Sequence, residues 1–548
     1  MALTKVHNRL IEGAAVNVKD FGAVGDGVTD DTSAIQAAID TDSGRVFLDG
    51  SSYAVSGQID AENVYAWNGI QGIGHASRLE FGASSVIKIQ NRIPGTEGGT
   101  DIWSANGIYD LAINGNNSSS YGVIVGTDTD LGQTSIDLTC NGASFSNVII
   151  YDVSGPAWQC GFITNNVWTN CFTKDCDYGW FGYTNSNSTA CDMWHLDSFK
   201  ALSHNIAGVA AISDSVNSVS GIVTNGMFNN NAGWGAFLKG QGVYTFSSCH
   251  FEANGTTDTS TASNVTVKED GVSREPSQLF VYNSTVNMDG CTIFNGFAQV
   301  VNNGFLKLDG CHWYNAGSMN PFTNCDDTAT IIIDGYTRFD NPYIRLTEAT
   351  FVYKTAPRIT GTANDRSVIC TRIPHRITKS TSDFGMTDPS FESGTDGWTV
   401  SGTPPTLTRP TTNPYLGTNH LRYVFNSSAG SINTNAARYN SIGGLGAGQY
   451  IAVSFFAYSS IATTMAIQSF NNEYGNNMGT GRFTLPANEW VRISCLWHEI
   501  SNSPTTGNLF GIYPVDTDAP TVDIDVVCIN KGTLYEVEGV LQGDVINL

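Results

Sequence analysis

Four phrases decide the fold: Val243 to Gly255 (VYTFSSCHFEANG), Thr285 to Gly296 (TVNMDGCTIFNG), Phe305 to Gly317 (FLKLDGCHWYNAG) and Thr330 to Pro342 (TIIIDGYTRFDNP). Each reads as a short apolar strand, a tight polar corner, a second short strand and an Asn-Gly-like turn. Aligning their central residues predicts one column of Cys249, Cys291, Cys311 and Tyr336. Met227 in NGMFNNNAG joins it, and Phe199, Phe172 and Ile149 extend it backwards. Successive spacings of 23, 27, 28, 22, 42, 20 and 25 residues are too uneven for a consensus array. They suit a strand solenoid whose turns carry loops of different length.

Composition agrees with an all-strand chain. The 548 residues include 58 Gly and only 14% charged residues, and Gly and Asn accept the positive φ that tight corners need. The formal charge of −23 and the lack of a basic stripe argue against a nucleic-acid partner, because phosphate binding requires clustered Lys and Arg. No apolar run is long enough to cross a bilayer, so no membrane insertion is expected. No charged-then-apolar leader opens the chain, and synthesis in a reducing cytoplasm is expected. The 12 Cys form no paired framework and several fall in the apolar column, so they are expected as buried, reduced thiols.

Asp30 or Asp31 is expected to cap a helix over Thr32 to Asp40, whose Ala34, Ile35, Ala38 and Ile39 share one face. A solenoid exposes apolar layers at its ends, and this helix is the expected plug. The acidic run Asp26 to Asp31 lacks calcium-loop spacing and reads as a turn plus cap. Alternating segments after residue 388, such as Tyr450 to Tyr458, Trp490 to Trp497 and Thr521 to Ile529, predict an antiparallel sandwich. The resulting boundaries are 1–45 for a neck and capping helix, 46–355 for the coils, 356–387 for a connector and 388–548 for the sandwich.

Val16 to Asp40 (VNVKDFGAVGDGVTDDTSAIQAAID) closely resembles the opening signature of the pectate-lyase-like right-handed parallel β-helix proteins. Leu3 to Ala14 (LTKVHNRLIEGA) resembles the neck before that signature in bacteriophage tailspike depolymerases. The resemblance implies an all-β homotrimer on a virion, acting at the bacterial surface on a capsule or O-antigen polysaccharide, and joined to the tail directly or through an adaptor protein. The sandwich resembles carbohydrate-binding jelly-roll modules. That likeness implies a structural calcium held by Glu392 and by Asp523 or Asp525, and a role in trimerisation or carbohydrate binding. Trp398, Trp490 and Trp497 are read as core residues.

Strand alternation points to the chemistry. If Cys249 faces inward, His250 and Glu252 face outward, and the outward columns read His250, Thr292, His312, Thr337 and Glu252, Phe294, Tyr314, Phe339. Sugar rings stack on aromatic faces while a carboxylate handles protons at the glycosidic oxygen. The aromatics serve equally as a sugar platform or as a subunit interface. The 42-residue gap inserts a loop after Glu252, with Lys268 and Arg274 as substrate contacts and Asp270, Glu275 and then Asp258 as partner carboxylates. Asn230 is expected one coil below Glu252, and Asp175 three coils below. Hydrolysis needs no cofactor. Elimination from a uronic acid, with His250, Lys268 and Arg274, is the alternative chemistry, and a non-catalytic receptor-binding spike is the alternative function. Trp180, Trp194 and His195 either line the upstream groove or pack inside.

Overall fold

Each coil closes through corners held by residues at positive φ. Asn225 (φ 53°) and Ser248 (φ 53°) turn the first strand into the second, while Asn230 (φ 56°) and Ala253 (φ 54°) turn out of the second. Asn reaches this left-handed region more readily than most residues because its short side chain hydrogen-bonds locally. The computed structural model describes residues 15–41, 44–61, 67–89, 106–126, 140–161, 163–184, 191–213, 219–255, 276–314, 321–322, 325–326, 328–340, 350–353, 358–360, 368–373, 390–395, 397–401, 406–426, 431, 434–445, 450–471, 476–498, 505–515 and 517–532. They fall into two compact units, Met1–Gly296 and Phe297–Leu548.

In the first unit every turn contributes three short strands that pair in parallel with those of the next turn. Val219–Thr224, Met227–Asn229 and Trp234–Lys239 make one turn, and Val243–Ser247, His250–Glu252 and Leu279–Tyr282 make the next. The third wall runs from Gln58–Ala61 to Leu279–Tyr282. This is the parallel β-helix that the repeat predicts. Its interior is dry and aromatic: Trp158, Trp168, Trp180 and Trp194 are buried, with successive ring contacts at 6.0, 5.9 and 4.3 Å.

Pairing of Phe172 with Lys200, Lys200 with Met227 and Met227 with His250 sets the true column. The interior position of Cys249 is shared by Cys171, Phe199 and Gly226. Phe199 and Cys291 stand as expected, whereas Ile149, Phe172 and Met227 each lie one residue later, on the outer surface. The ten described cysteines that are free are all buried. Burial pushes the Cys171 thiol up to about 12, so it stays protonated. Polar groups trapped at the second corner satisfy one another: Asn231 Nδ2 donates to Asn254 Oδ1 (2.7 Å) and Asn254 Nδ2 to the Phe228 carbonyl (2.9 Å). A buried amide without such a partner costs a few kcal/mol, on the order of 1–3.

The capping helix spans Thr32–Ile39 and buries Ile35, Ala38 and Ile39. Gln36 ties it to the first third-wall strand by donating to the Asp60 carbonyl (2.9 Å) and accepting from the Asp60 amide (2.8 Å). The two candidate caps divide the work. Asp30 accepts the Thr32 amide (3.1 Å), while Asp31 accepts the Val24 and Gly25 amides (2.6 and 3.1 Å) and so fastens the preceding turn.

The second unit contains further parallel pairs, Phe305–Asp309 with Thr330–Asp334 and His312–Tyr314 with Arg338–Asp340. It also holds antiparallel sheets of six and five strands. Trp398 is buried there against Tyr423, Tyr439 and Phe510. Among the described residues no helix is long and apolar enough to cross a membrane.

Candidate functional site

Strand His250–Glu252 sets the site in the first unit. Phe251 is buried among the core aromatics, which sends His250 and Glu252 outward by the two-residue period of the strand. The carboxylate of Glu252 is 43% exposed and the imidazole of His250 33%. His250 Nε2 lies 3.2 Å from Glu252 Oε2, which also accepts from Asn229 Nδ2 at 3.2 Å. Because a carboxylate only accepts, this contact places the proton of a neutral His250 on Nε2. Directly after Glu252, Ala253 stands at φ 54°, a conformation costly for a residue with a Cβ.

One coil on, Thr292 pairs with His250 and Phe294 with Glu252, as alternation predicts. The Phe294 and His250 rings are 5.3 Å apart. The residue below Glu252 is Asn229, not Asn230; Asn230 donates its backbone N–H to the Glu252 carbonyl instead (3.0 Å). Further down, the column passes through Leu202 to Lys174. Asp175 is displaced from it by one residue and pairs with Lys174 at 2.8 Å. The loop residues Asp258, Lys268, Asp270, Arg274 and Glu275 lie outside the described residues.

In the second unit, His312 and Tyr314 face outward as expected, but the fourth phrase is shifted. His312 pairs with Arg338, Trp313 with Phe339 and Tyr314 with Asp340. Phe339 is therefore buried beside Trp313 rather than exposed. The reason lies in the corner. Gly335 and Tyr336 both have positive φ (60° and 55°), where the preceding coil uses Gly310 alone (57°), so Thr337 rather than Tyr336 occupies the buried position matching Cys311.

The shift brings out two residues that column reading missed. Asp340, 10% exposed, accepts from His312 Nε2 and from Arg338 Nε, both at 2.7 Å. The usable signal was the apolar character of Phe339, which alternation sends to the same side as Trp313.

Trp180 and Trp194 pack inside, and His195 Nε2 meets Thr224 Oγ1 at 2.9 Å. In the sandwich Trp398 is core and Trp490 is half-buried, while the side chain of Trp497 lies outside the described set. The three carboxylates expected around calcium do not converge. Glu392 accepts from the Thr418 and Asn419 amides (2.7 and 3.1 Å). Asp523 is buried, and against that burial the Arg422 fork (2.6 and 2.7 Å) and His420 hold its carboxyl below the usual range. Burial pushes Asp525 up to about 7, opposed by N–H donation from Leu416, Val526 and Tyr415. Among the described residues no three such side chains could hold an ion together; each carboxylate is already occupied by protein donors, and the set does not fit calcium.

No family model matches the chain. Alginate lyase 7 of Azotobacter vinelandii is 39% identical over 133 residues, covering 20% of this chain and 14% of the relative. Mannuronan C5-epimerase AlgE5 of the same organism is 62% identical over 45 residues, covering 8% of this chain and 4% of the relative. The chain thus spans only a small part of either. Among solved structures, the enzymatically active domain of bacteriophage CBA120 tailspike protein 4 aligns with TM-score 0.38 and 13% identity over 94% of this chain and 68% of that one. The Azotobacter vinelandii mannuronan C-5 epimerase AlgE4 A-module aligns with TM-score 0.34 and 16% identity over 63% of this chain and 95% of that one.

Proposed function

We propose that this chain is a trimeric phage tailspike that binds a bacterial surface polysaccharide and cleaves it by acid/base glycoside hydrolysis, with Glu252 exchanging the proton. The observation that carries this reading is the Glu252 carboxylate, half-exposed on a rigid strand, held by His250 and Asn229 and flanked by the Phe294 ring. Solenoid rigidity keeps such a group in place as a chain of sugars slides past. Phe294 and Thr292 supply the neighbouring apolar and polar contacts. The loop 256–275 remains the proposed source of the second carboxylate that hydrolysis needs, with Asp270, Glu275 and Asp258 as its candidates and Lys268 and Arg274 as sugar contacts.

A second reading is β-elimination. It is favoured by the segments shared with proteins named as an alginate lyase and a mannuronan epimerase, since both names denote chemistry on uronic acids. The test is depolymerisation of purified capsule or O-antigen, read by size-exclusion chromatography and by the chemistry of new chain ends. Glu252→Gln keeps an acceptor for Asn229 and is expected to lower turnover by about 10²–10⁴-fold. Undiminished turnover by a folded variant would remove Glu252 from the reaction.

A further inference from the structure

The register at the fourth phrase assembles a cluster distinct from the Glu252 site. On two adjacent parallel strands of the second unit, His312 stands beside Arg338 and Tyr314 beside Asp340, all four at outward positions of the alternation. Neighbouring strands are about 4.8 Å apart, and residues two apart on one strand are about 6.6 Å apart. The four side chains therefore leave one patch the size of a single sugar ring.

Within the patch each group has a defined role. The Asp340 carboxylate is 10% exposed and lies between His312 Nε2 and Arg338 Nε, at 2.7 Å from each. Since it only accepts, a neutral His312 carries its proton on Nε2 and its lone pair on Nδ1. His312 is 36% exposed and Arg338 44%, so the base and the cation face outward while the acid that orients them is covered. Arg338 engages Asp340 through Nε, and a guanidinium presents planar donors that match a carboxylate in a two-point contact. Tyr314, half-buried, supplies a phenol on the same face.

We propose that His312, Tyr314, Arg338 and Asp340 form a site for one uronic-acid unit of an acidic polysaccharide and break the chain there by β-elimination. This deepens the elimination reading above and rests on it. Arg338 holds the sugar carboxylate and stabilises the enolate that develops when the adjacent carbon loses its proton. His312 Nδ1 takes that proton. The electron pair left behind forms the ring double bond, the bond from the neighbouring carbon to the glycosidic oxygen breaks, and the departing oxygen takes the Tyr314 phenolic proton. Passage of the proton from His312 to the Tyr314 phenolate restores both groups. Asp340 never meets the sugar and is a positioning residue.

The full chain is incubated separately with polymannuronate, polyguluronate and polygalacturonate, and ultraviolet absorbance reports unsaturated ends. At least one polymer is expected to yield them. His312→Gln and Tyr314→Phe are expected to lower kcat by at least about 100-fold, with melting temperatures near that of the parent. Arg338→Ala is expected to raise KM at least roughly tenfold, as loss of a two-point charged contact does. Asp340→Asn is expected to lower kcat with little change in KM, because its amide can donate and favours the wrong tautomer. Absence of unsaturated ends on all three polymers overturns the proposal, as does a folded His312→Gln variant with unchanged kcat. Cleavage that leaves only saturated ends also overturns it, while leaving hydrolysis at Glu252 standing.

Discussion

Two histidine–carboxylate pairs sit at outward strand positions in this molecule, and they differ in which partner meets solvent. His250 and Glu252 are two residues apart on one strand, 3.2 Å from each other, and the carboxylate is the more exposed member. His312 and Asp340 come from adjacent strands, 2.7 Å apart, and the imidazole is the more exposed member. The exposed member is the one a substrate can reach. The first pair therefore offers an acid/base carboxylate tuned by a histidine, and the second a histidine oriented by a carboxylate. The same two residue types thus suit hydrolysis in one unit and proton abstraction in the other.

The comparison breaks most visibly in stability. Asp340 is largely covered and serves two cationic partners, so Asp340→Ala should cost about 1–3 kcal/mol in urea unfolding. Glu252→Gln, at a half-exposed position, should stay within about 0.5 kcal/mol. Equal costs would show that the two carboxylates are buried alike. Salt separates the pairs by a smaller margin. A double-mutant cycle on His250 and Glu252 should give a coupling of about 0.2–1 kcal/mol that fades between low and high salt, whereas the His312–Asp340 coupling should persist. The smallest expected change is at Asn229, whose Nδ2 holds Glu252 from one coil below. Asn229→Ala should lower turnover only severalfold, with no measurable loss of fold; a loss as large as that of Glu252→Gln would make it part of the chemistry.

Much of the architecture was legible in the chain because its causes are local. Alternation along His250–Glu252 predicted an inward Phe251 and outward His250 and Glu252, and Thr292 and Phe294 follow in register. The helix after Asp31 and the sandwich strands could be read from periodicity alone. Coil-to-coil alignment was less legible. Met227, Phe172 and Ile149 were displaced by one residue, as was Tyr336 in the opposite direction. Corners of equal appearance differ in how many residues they hold at positive φ, and a phrase such as DGCHW does not reveal whether DGYTRF spends one residue more.

Side-chain direction within each strand was thus decided by the sequence itself, since a period of two depends only on neighbouring residues. Which side chains meet across coils was decided by tertiary structure, since closing a coil sums every corner and loop between two strands. That sum put Arg338 and Asp340 beside His312 and Tyr314 and buried Phe339. It likewise scattered Glu392, Asp523 and Asp525 among separate protein donors, although their spacing along the chain had grouped them.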